Sequence, residues 1–240
     1  MSVPLPSARL GLLILDSIDL PHRAVAGDYE QLFRNLFEFS GQEIVPVDVK
    51  RDLLPAHDEC DGWIIPGSRQ SVGDDDGWIS QLRTWTRRAL EVQVPLAGVC
   101  FGHQLIAAEL GAQVGPAPGG WNIGVVDYEV LDSPPWLDLP DRYSLIASHQ
   151  DQVLTVADEM ELVATAATCP VGAFTVGTNV MCVQGHPEFV APLAASLYKA
   201  RIERLGSDAV EAALATLERP LNRRDVAHWL LQTIYQGRPA

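Results

Sequence analysis

Residues 95–104 read Pro95-Leu96-Ala97-Gly98-Val99-Cys100-Phe101-Gly102-His103-Gln104. Leu96 to Val99 is a short apolar run of the kind that forms a buried strand, and Leu105, Ile106 and Leu110 then continue at helical spacing up to Gly111. A cysteine between two glycines at such a junction is the thiol counterpart of the G-x-S-x-G nucleophile elbow. Glycines flank the central residue because a sharp strand-to-helix turn leaves no room for neighbouring Cβ atoms. The turn also puts Cys100 at a helix N-terminus, where the positive end of the dipole favours thiolate. The competing reading is a buried, inert cysteine that happens to lie between glycines.

Upstream, Leu10 to Leu15 is an apolar run without helical period and predicts a buried strand. Tyr29, Leu32, Phe33, Leu36 and Phe37 share one face of a helix that starts near Asp28 and stops at Gly41. Ile44 to Val49 predicts a strand that Pro46 confines to an edge or a short element. Trp63 to Ile65 predicts another strand, ended by Pro66-Gly67, and Trp78, Ile79, Leu82, Trp85 and Leu90 mark a helix. Such alternation implies an α/β fold, with a mostly parallel sheet covered by helices on both faces.

Downstream the pattern changes. Short β-prone runs occupy Val125 to Leu131, Leu162 to Ala166, Ala173 to Val176 and Val180 to Val183. From Pro192 the spacing turns helical, through Leu193, Leu197, Ile202, Val210, Leu214 and Leu217, with a last helix carrying Val226, Trp229, Leu230 and Ile234. No repeat or flexible linker divides the chain, so residues 1–240 read as a single domain. Its motif-bearing core spans about 10–195, and a C-terminal helical extension spans about 196–240. Arg201, Arg204, Arg219, Arg223 and Arg224 enrich that extension in positive charge, which by default is a solvated helical face.

The second chemical signal is Gln184-Gly185-His186-Pro187-Glu188, directly after the run Val180 to Val183. A carboxylate two residues after a histidine can fix its tautomer and stabilise imidazolium. Alone, an H-P-E triplet also fits an exposed loop pair or a metal fragment, although the latter lacks a third ligand at sensible spacing. With a thiol elbow upstream it fits a Cys-His-Glu constellation.

Composition narrows the function classes. The 240 residues carry 31 acidic against 17 basic side chains, a formal net charge of −14. Such a surface repels phosphate backbones and anionic lipid, so nucleic-acid and membrane-surface partners are disfavoured. No apolar run reaches the roughly 20 residues that span a bilayer, and no signal-peptide pattern opens the chain. The cysteines at 60, 100, 169 and 182 show no metal-site spacing and are too few for a disulfide scaffold, so a reducing cytoplasm is expected. Cys60, Cys169 and Cys182 read as structural. Asp74, Asp75 and Asp76 precede a helix and read as a cap rather than a cation site, so neither metal nor cofactor is expected.

The motifs together resemble the class I (triad-type) glutamine amidotransferases, most closely the free-standing GMP synthase-like proteins. The resemblance rests, in the family's order, on Ile65-Pro66-Gly67-Ser68, Ser71-Val72 with Trp78-Ile79, the stretch 95–104, Ile123-Gly124, Ser148-His149-Gln150-Asp151-Gln152-Val153, and residues 184–188. It implies a flavodoxin-like three-layer sandwich. It also implies that Cys100 is the nucleophile, His186 the general base and then acid, and Glu188 the residue that orients His186. The backbone amides of Gly67 and Phe101 would form the oxyanion hole, and Gln104, Ser148 and His149 would hold the α-amino and α-carboxylate groups of glutamine. His103 is expected to pack rather than react. Where many relatives have a charged residue before Ile123-Gly124, this chain has Trp121-Asn122, which weakens transfer of any specific partner.

The implied activity is cleavage of the γ-glutamyl amide of glutamine through a cysteine thioester, releasing ammonia and glutamate. The chain has neither a P-loop nor a Ser-Gly-Gly-x-Asp-Ser signature, so a synthetase would act in trans. The alternatives are a free-standing γ-glutamyl peptidase that acts on peptides or amines, and a non-catalytic binding or regulatory module.

Overall fold

The structure, a computed structural model, describes residues 7–237. In chain order it contains β1 (Arg9–Ile14), α1 (Leu20–Ala26), α2 (Tyr29–Phe37), β2 (Glu43–Asp48), β3 (Gly62–Ile65), α3 (Gly77–Glu91), β4 (Leu96–Val99) and α4 (Phe101–Glu109). There follow β5 (Val114–Pro116), β6 (Asn122–Val130), β7 (Arg142–His149), β8 (Asp151–Val153), β9 (Glu161–Ala166), β10 (Cys169–Val176) and β11 (Val180–Val183). The helices α5 (Ala191–Ala200), α6 (Ile202–Leu205), α7 (Ser207–Thr216) and α8 (Arg223–Gln236) complete it.

The central sheet has the order β2-β1-β3-β4-β11-β10-β9-β6-β7. From β2 to β11 the pairings are parallel, and from β11 to β7 they are antiparallel. Side chains alternate across the pleat. Trp63 and Ile65 of β3 therefore join the apolar layer with α3 and α4, while Ile64 joins the layer with α2, α5, α7 and α8. This is the three-layer α/β arrangement that the sequence pattern implies. As expected from Pro46, β2 lies at the sheet edge.

Three features depart from the sequence pattern. Residues 142–149 form a full strand, β7, at the far edge of the sheet. The helical run after Pro192 is broken at Arg201 and again at Gly206, whose φ of 88° ends α6. The arginines of the C-terminal segment are only in part a solvated face: Arg219 and Arg224 are exposed, but Arg219 Nη2 lies 2.5 and 2.6 Å from the two oxygens of Asp127 and Arg224 lies 4.8 Å over the Phe39 ring, while Arg223 is half-buried. α8 is part of the core, since Val226, Leu230 and Ile234 are fully buried and pack against β4 and β11.

The two helices on one face are joined by a buried carboxylate. Glu109 at the end of α4 accepts from Arg83 Nε and Arg87 Nη2 of α3, each at 2.6 Å, with its own side chain 1% exposed. Removing the acceptor strands two guanidinium groups against each other. Glu109→Ala is expected to lower stability by about 1–3 kcal/mol, read from urea midpoints, with no change in substrate affinity.

Candidate active site

A cleft of about 350 Å³ opens beyond the carboxyl ends of the parallel strands, where open α/β sheets place their ligands. Cys100 lines it at the junction of β4 and α4. Its φ of 52° and ψ of −99° lie outside the regions open to most L-residues, and such strain persists only where surrounding structure enforces it. Two backbone bonds do so here: Cys100 N–H donates to Val183 O at 3.0 Å, and Gly102 N–H donates to Pro66 O at 3.1 Å.

The flanking glycines have a steric cause. A Cβ on Gly102 would sit 1.9 Å from the Ile65 carbonyl oxygen, and one on Gly98 would sit 2.8 Å from Cys182 Sγ and 2.9 Å from the Gly102 backbone. The helix therefore lies on β3 and β4 at a distance only these two glycines permit. That contact sets the sharpness of the elbow.

His186 follows β11 and is brought to the cleft by its N–H, which donates to Ile146 O of β7 at 2.8 Å. Its Nδ1 lies 2.7 Å from Glu188 Oε1, and both residues are buried. A carboxylate only accepts, so Nδ1 carries the proton and Nε2 is left for the cleft. Among the described residues Nε2 has no hydrogen-bond partner. Phe189 stacks on the imidazole at 4.1 Å between centroids. Burial pulls the His186 pKa down, but Glu188 and then the Cys100 sulfur outweigh it and raise the group from 6.5 to about 10. The imidazolium is thus the favoured form at neutral pH.

Arg223 of α8 holds this turn by its backbone. It donates through Nε to Pro187 O at 2.7 Å and through Nη2 to Glu188 O at 3.2 Å. No sequence motif marks Arg223, because its acceptors are main-chain carbonyls that any residue type supplies.

Gly67 lies against both Cys100 and His186. A Cβ there would sit 2.9 Å from His186 Cε1 and 3.7 Å from Cys100 Cβ. Phe101 opens α4, whose first turn has no side-chain cap. The structure thus brings Gly67, Cys100, Phe101, His186 and Glu188 together, with Cys100 and His186 lining the cleft.

The three residues expected to bind substrate all line the cleft. Gln104 is already engaged: its Nε2 donates to Asp151 O at 2.7 Å and to Gln184 Oε1 at 3.2 Å. His149 Nδ1 lies 3.0 Å from Asp151 O, while its Nε2 has no partner among the described residues. Burial pushes the His149 pKa down to about 4, so the ring is neutral and Nε2 is an acceptor. Ser148 sits beside it at the end of β7.

Of the remaining candidates, Asp74 also lines the cleft. His103 is fully buried against the Phe174 ring, and burial lowers its pKa to about 3. Asp76 occupies the N-cap of α3 but makes no side-chain cap; it accepts from Gln70 Nε2 at 2.6 Å, and Asp74 accepts from Ser71 N–H at 2.9 Å. Burial raises the thiol pKa of Cys60 and Cys182, and pushes that of Cys169 up to about 12, so all three favour the unreactive thiol. Trp121, in the segment whose departure from the family pattern concerns substrate or partner contact, also lines the cleft, as do Arg201 and Arg204, which the sequence pattern did not anticipate.

The sequence profile described as "Glutamine amidotransferase class-I" matches residues 29–200. Gamma-glutamyl peptidase 3 of Arabidopsis thaliana is 30% identical over 173 residues, covering 68% of this chain and 70% of its own. A glutamine-hydrolysing GMP synthase component of Methanopyrus kandleri is 32% identical over 168 residues, covering 68% of this chain and 84% of its own. Among solved structures, a glutamine amidotransferase from Thermotoga maritima superposes with a TM-score of 0.73 at 19% identity, over 95% of this chain and 96% of that one. That likeness bears on the fold alone. No helix among the described residues is long and apolar enough to cross a membrane.

Proposed function

The chain belongs to the class I glutamine amidotransferase family, and from that premise we propose that it hydrolyses γ-glutamyl amides through a thioester on Cys100. The observation that carries this reading is the strained Cys100 elbow in one cleft with the His186–Glu188 pair, at 2.7 Å, and with Gly67 packed against both.

In this reading the residues act in turn. With the proton on His186, the Cys100 sulfur attacks the γ-carbonyl carbon directly. The carbonyl electrons move onto oxygen, which the N–H groups of Gly67 and Phe101 receive. His186 Nε2 gives its proton to the departing nitrogen as the C–N bond breaks, leaving the γ-glutamyl thioester. Water then attacks the thioester. Nε2 takes its proton, and glutamate departs as the thiolate re-forms. Glu188 holds the imidazole in one tautomer throughout and offsets its charge. A reducing, cytoplasmic setting suits a thiolate of this kind.

With glutamine the leaving group is ammonia, which a synthetase would consume in trans. A second reading, with a larger amine leaving, is favoured by two observations: the names of the Arabidopsis relatives, gamma-glutamyl peptidases 2 to 5, and the cleft volume. At about 350 Å³ the cleft falls among pockets of about 300–1,000 Å³ that hold ligands larger than one amino acid.

The test is a mass-spectrometric panel of glutamine, γ-glutamyl dipeptides and simple γ-glutamyl amides. Glutamate release together with a γ-glutamyl adduct on Cys100 is expected. Release from peptides with none from glutamine would remove the ammonia-donor reading. Absence of both release and adduct across the panel would remove the hydrolase reading itself.

A further inference from the structure

Two features that the hydrolysis chemistry leaves unused meet in the cleft: Trp121, just before β6, and the arginines that follow α5. Arg201 lines the cleft half-buried, and Arg204 lies 4.7 Å over the Trp121 ring while Nη2 donates to Gln150 Oε1 at 3.3 Å. Among the described residues neither guanidinium has a carboxylate within ion-pair distance. The other cleft arginine behaves differently: Arg69 forks onto Asp16 and reaches Asp19.

A partly buried charge without a counter-ion is costly, and removing it from water is repaid only by a partner of opposite sign. Desolvation does lower the pKa of Arg201, yet a guanidinium stays protonated under such shifts. Its planar fork matches a carboxylate. The acidic groups of the cleft do not supply one: Asp19 is taken by Arg69, and Asp74 and Asp151 accept from Ser71. The missing counter-ion must come with the ligand.

Resting on the γ-glutamyl hydrolase reading above, we propose that Arg201, supported by Arg204 on Trp121, is a carboxylate subsite for the amine half of a γ-glutamyl peptide. Glutamine brings one carboxylate, on its glutamyl part, and its leaving ammonia brings none. A γ-glutamyl peptide adds a second carboxylate on the departing amino acid. Two unpaired guanidinium groups, an aromatic face and a cleft larger than one amino acid suit the second ligand.

The test separates binding from turnover. In the full chain carrying Cys100→Ala, calorimetry is made with γ-glutamylglycine and with γ-glutamylethylamide, which share the glutamyl part and differ in the carboxylate. The glycine compound is expected to bind about tenfold to a hundredfold more tightly. Adding Arg201→Gln abolishes that preference by weakening the glycine compound alone, and Arg201→Lys, which keeps charge without the fork, retains part of it. Equal affinities in the parent overturn the proposal. So does an Arg201→Gln effect equal on both ligands, which would place the arginine on the glutamyl carboxylate instead. Turnover by the unmutated protein is read separately: selective binding with no hydrolysis of either compound leaves the subsite standing and removes the hydrolase reading.

Discussion

Cys100→Ala is expected to abolish glutamate release, with at least about a 10⁴-fold loss in kcat measured on the best substrate of the panel. The loss is this large because the proposed thioester has no other route: the proposed oxyanion donors at Gly67 and Phe101 would stabilise an intermediate that no longer forms. Stability is expected to move the other way. Cys100 holds φ 52°, ψ −99°, and strain of that kind is worth on the order of 1–3 kcal/mol. Alanine retains the offending Cβ, while glycine does not. Cys100→Gly is therefore expected to be as inactive as Cys100→Ala yet to melt at a higher temperature, by the equivalent of about 1 kcal/mol. Equal melting temperatures in calorimetry would show that the elbow is relaxed. Residual turnover near the parent rate would remove Cys100 as the nucleophile.

Glu188→Gln is expected to lower kcat by about 10³–10⁴-fold and to displace the alkaline limb of the pH profile. The direction follows from the charges on His186. Its pKa is raised from 6.5 to about 10, with Glu188 the largest of the raising influences. The acid form that protonates the leaving amine thus survives to high pH, and the limb of kcat/KM falls only near pH 10. Removing the carboxylate leaves burial to dominate, so the proton is lost earlier and the limb moves to lower pH by at least about one unit. Stability shares the linkage. A raised pKa contributes stability that is fully present below 6.5 and fades as the pH rises through about 10. The variant is expected to lose that contribution at neutral pH. An unmoved limb would mean that Glu188 does not act on His186.

The elements that could be read from the sequence are those whose causes are local. Leu10 to Leu15, Trp63 to Ile65 and Val180 to Val183 are apolar runs that can only be buried, and the parallel half of the sheet follows from their alternation with helices. The elbow was legible because sterics leave glycine alone at 98 and 102. The strand β7 was not, because Arg142-Tyr143-Ser144-Leu145-Ile146-Ala147-Ser148-His149 mixes polar and apolar residues without clean alternation, and its pairing with β6 is a tertiary fact. The three cysteines outside the elbow were assigned by lack of context, and their burial supplies the physical reason. The placement of Arg201, Arg204 and Arg223 was not legible for a different reason. A charged side chain in a helical segment looks alike whether it meets water, an aromatic ring or a main-chain carbonyl.

The hold of Arg223 on the Pro187 and Glu188 carbonyls has a consequence for how the protein comes into being. A ribosome makes chain in one direction, so Cys100, His186 and Glu188 are all synthesised before α8. Until the helix that begins at Arg223 has left the exit tunnel, the turn carrying His186 and Glu188 lacks its main-chain anchor, and β4 and β11 lack the apolar cover of Val226, Leu230 and Ile234. The thiol is thus made early and its partner is set late. A nascent chain that stops short of α8 carries the residues of the candidate site without their geometry.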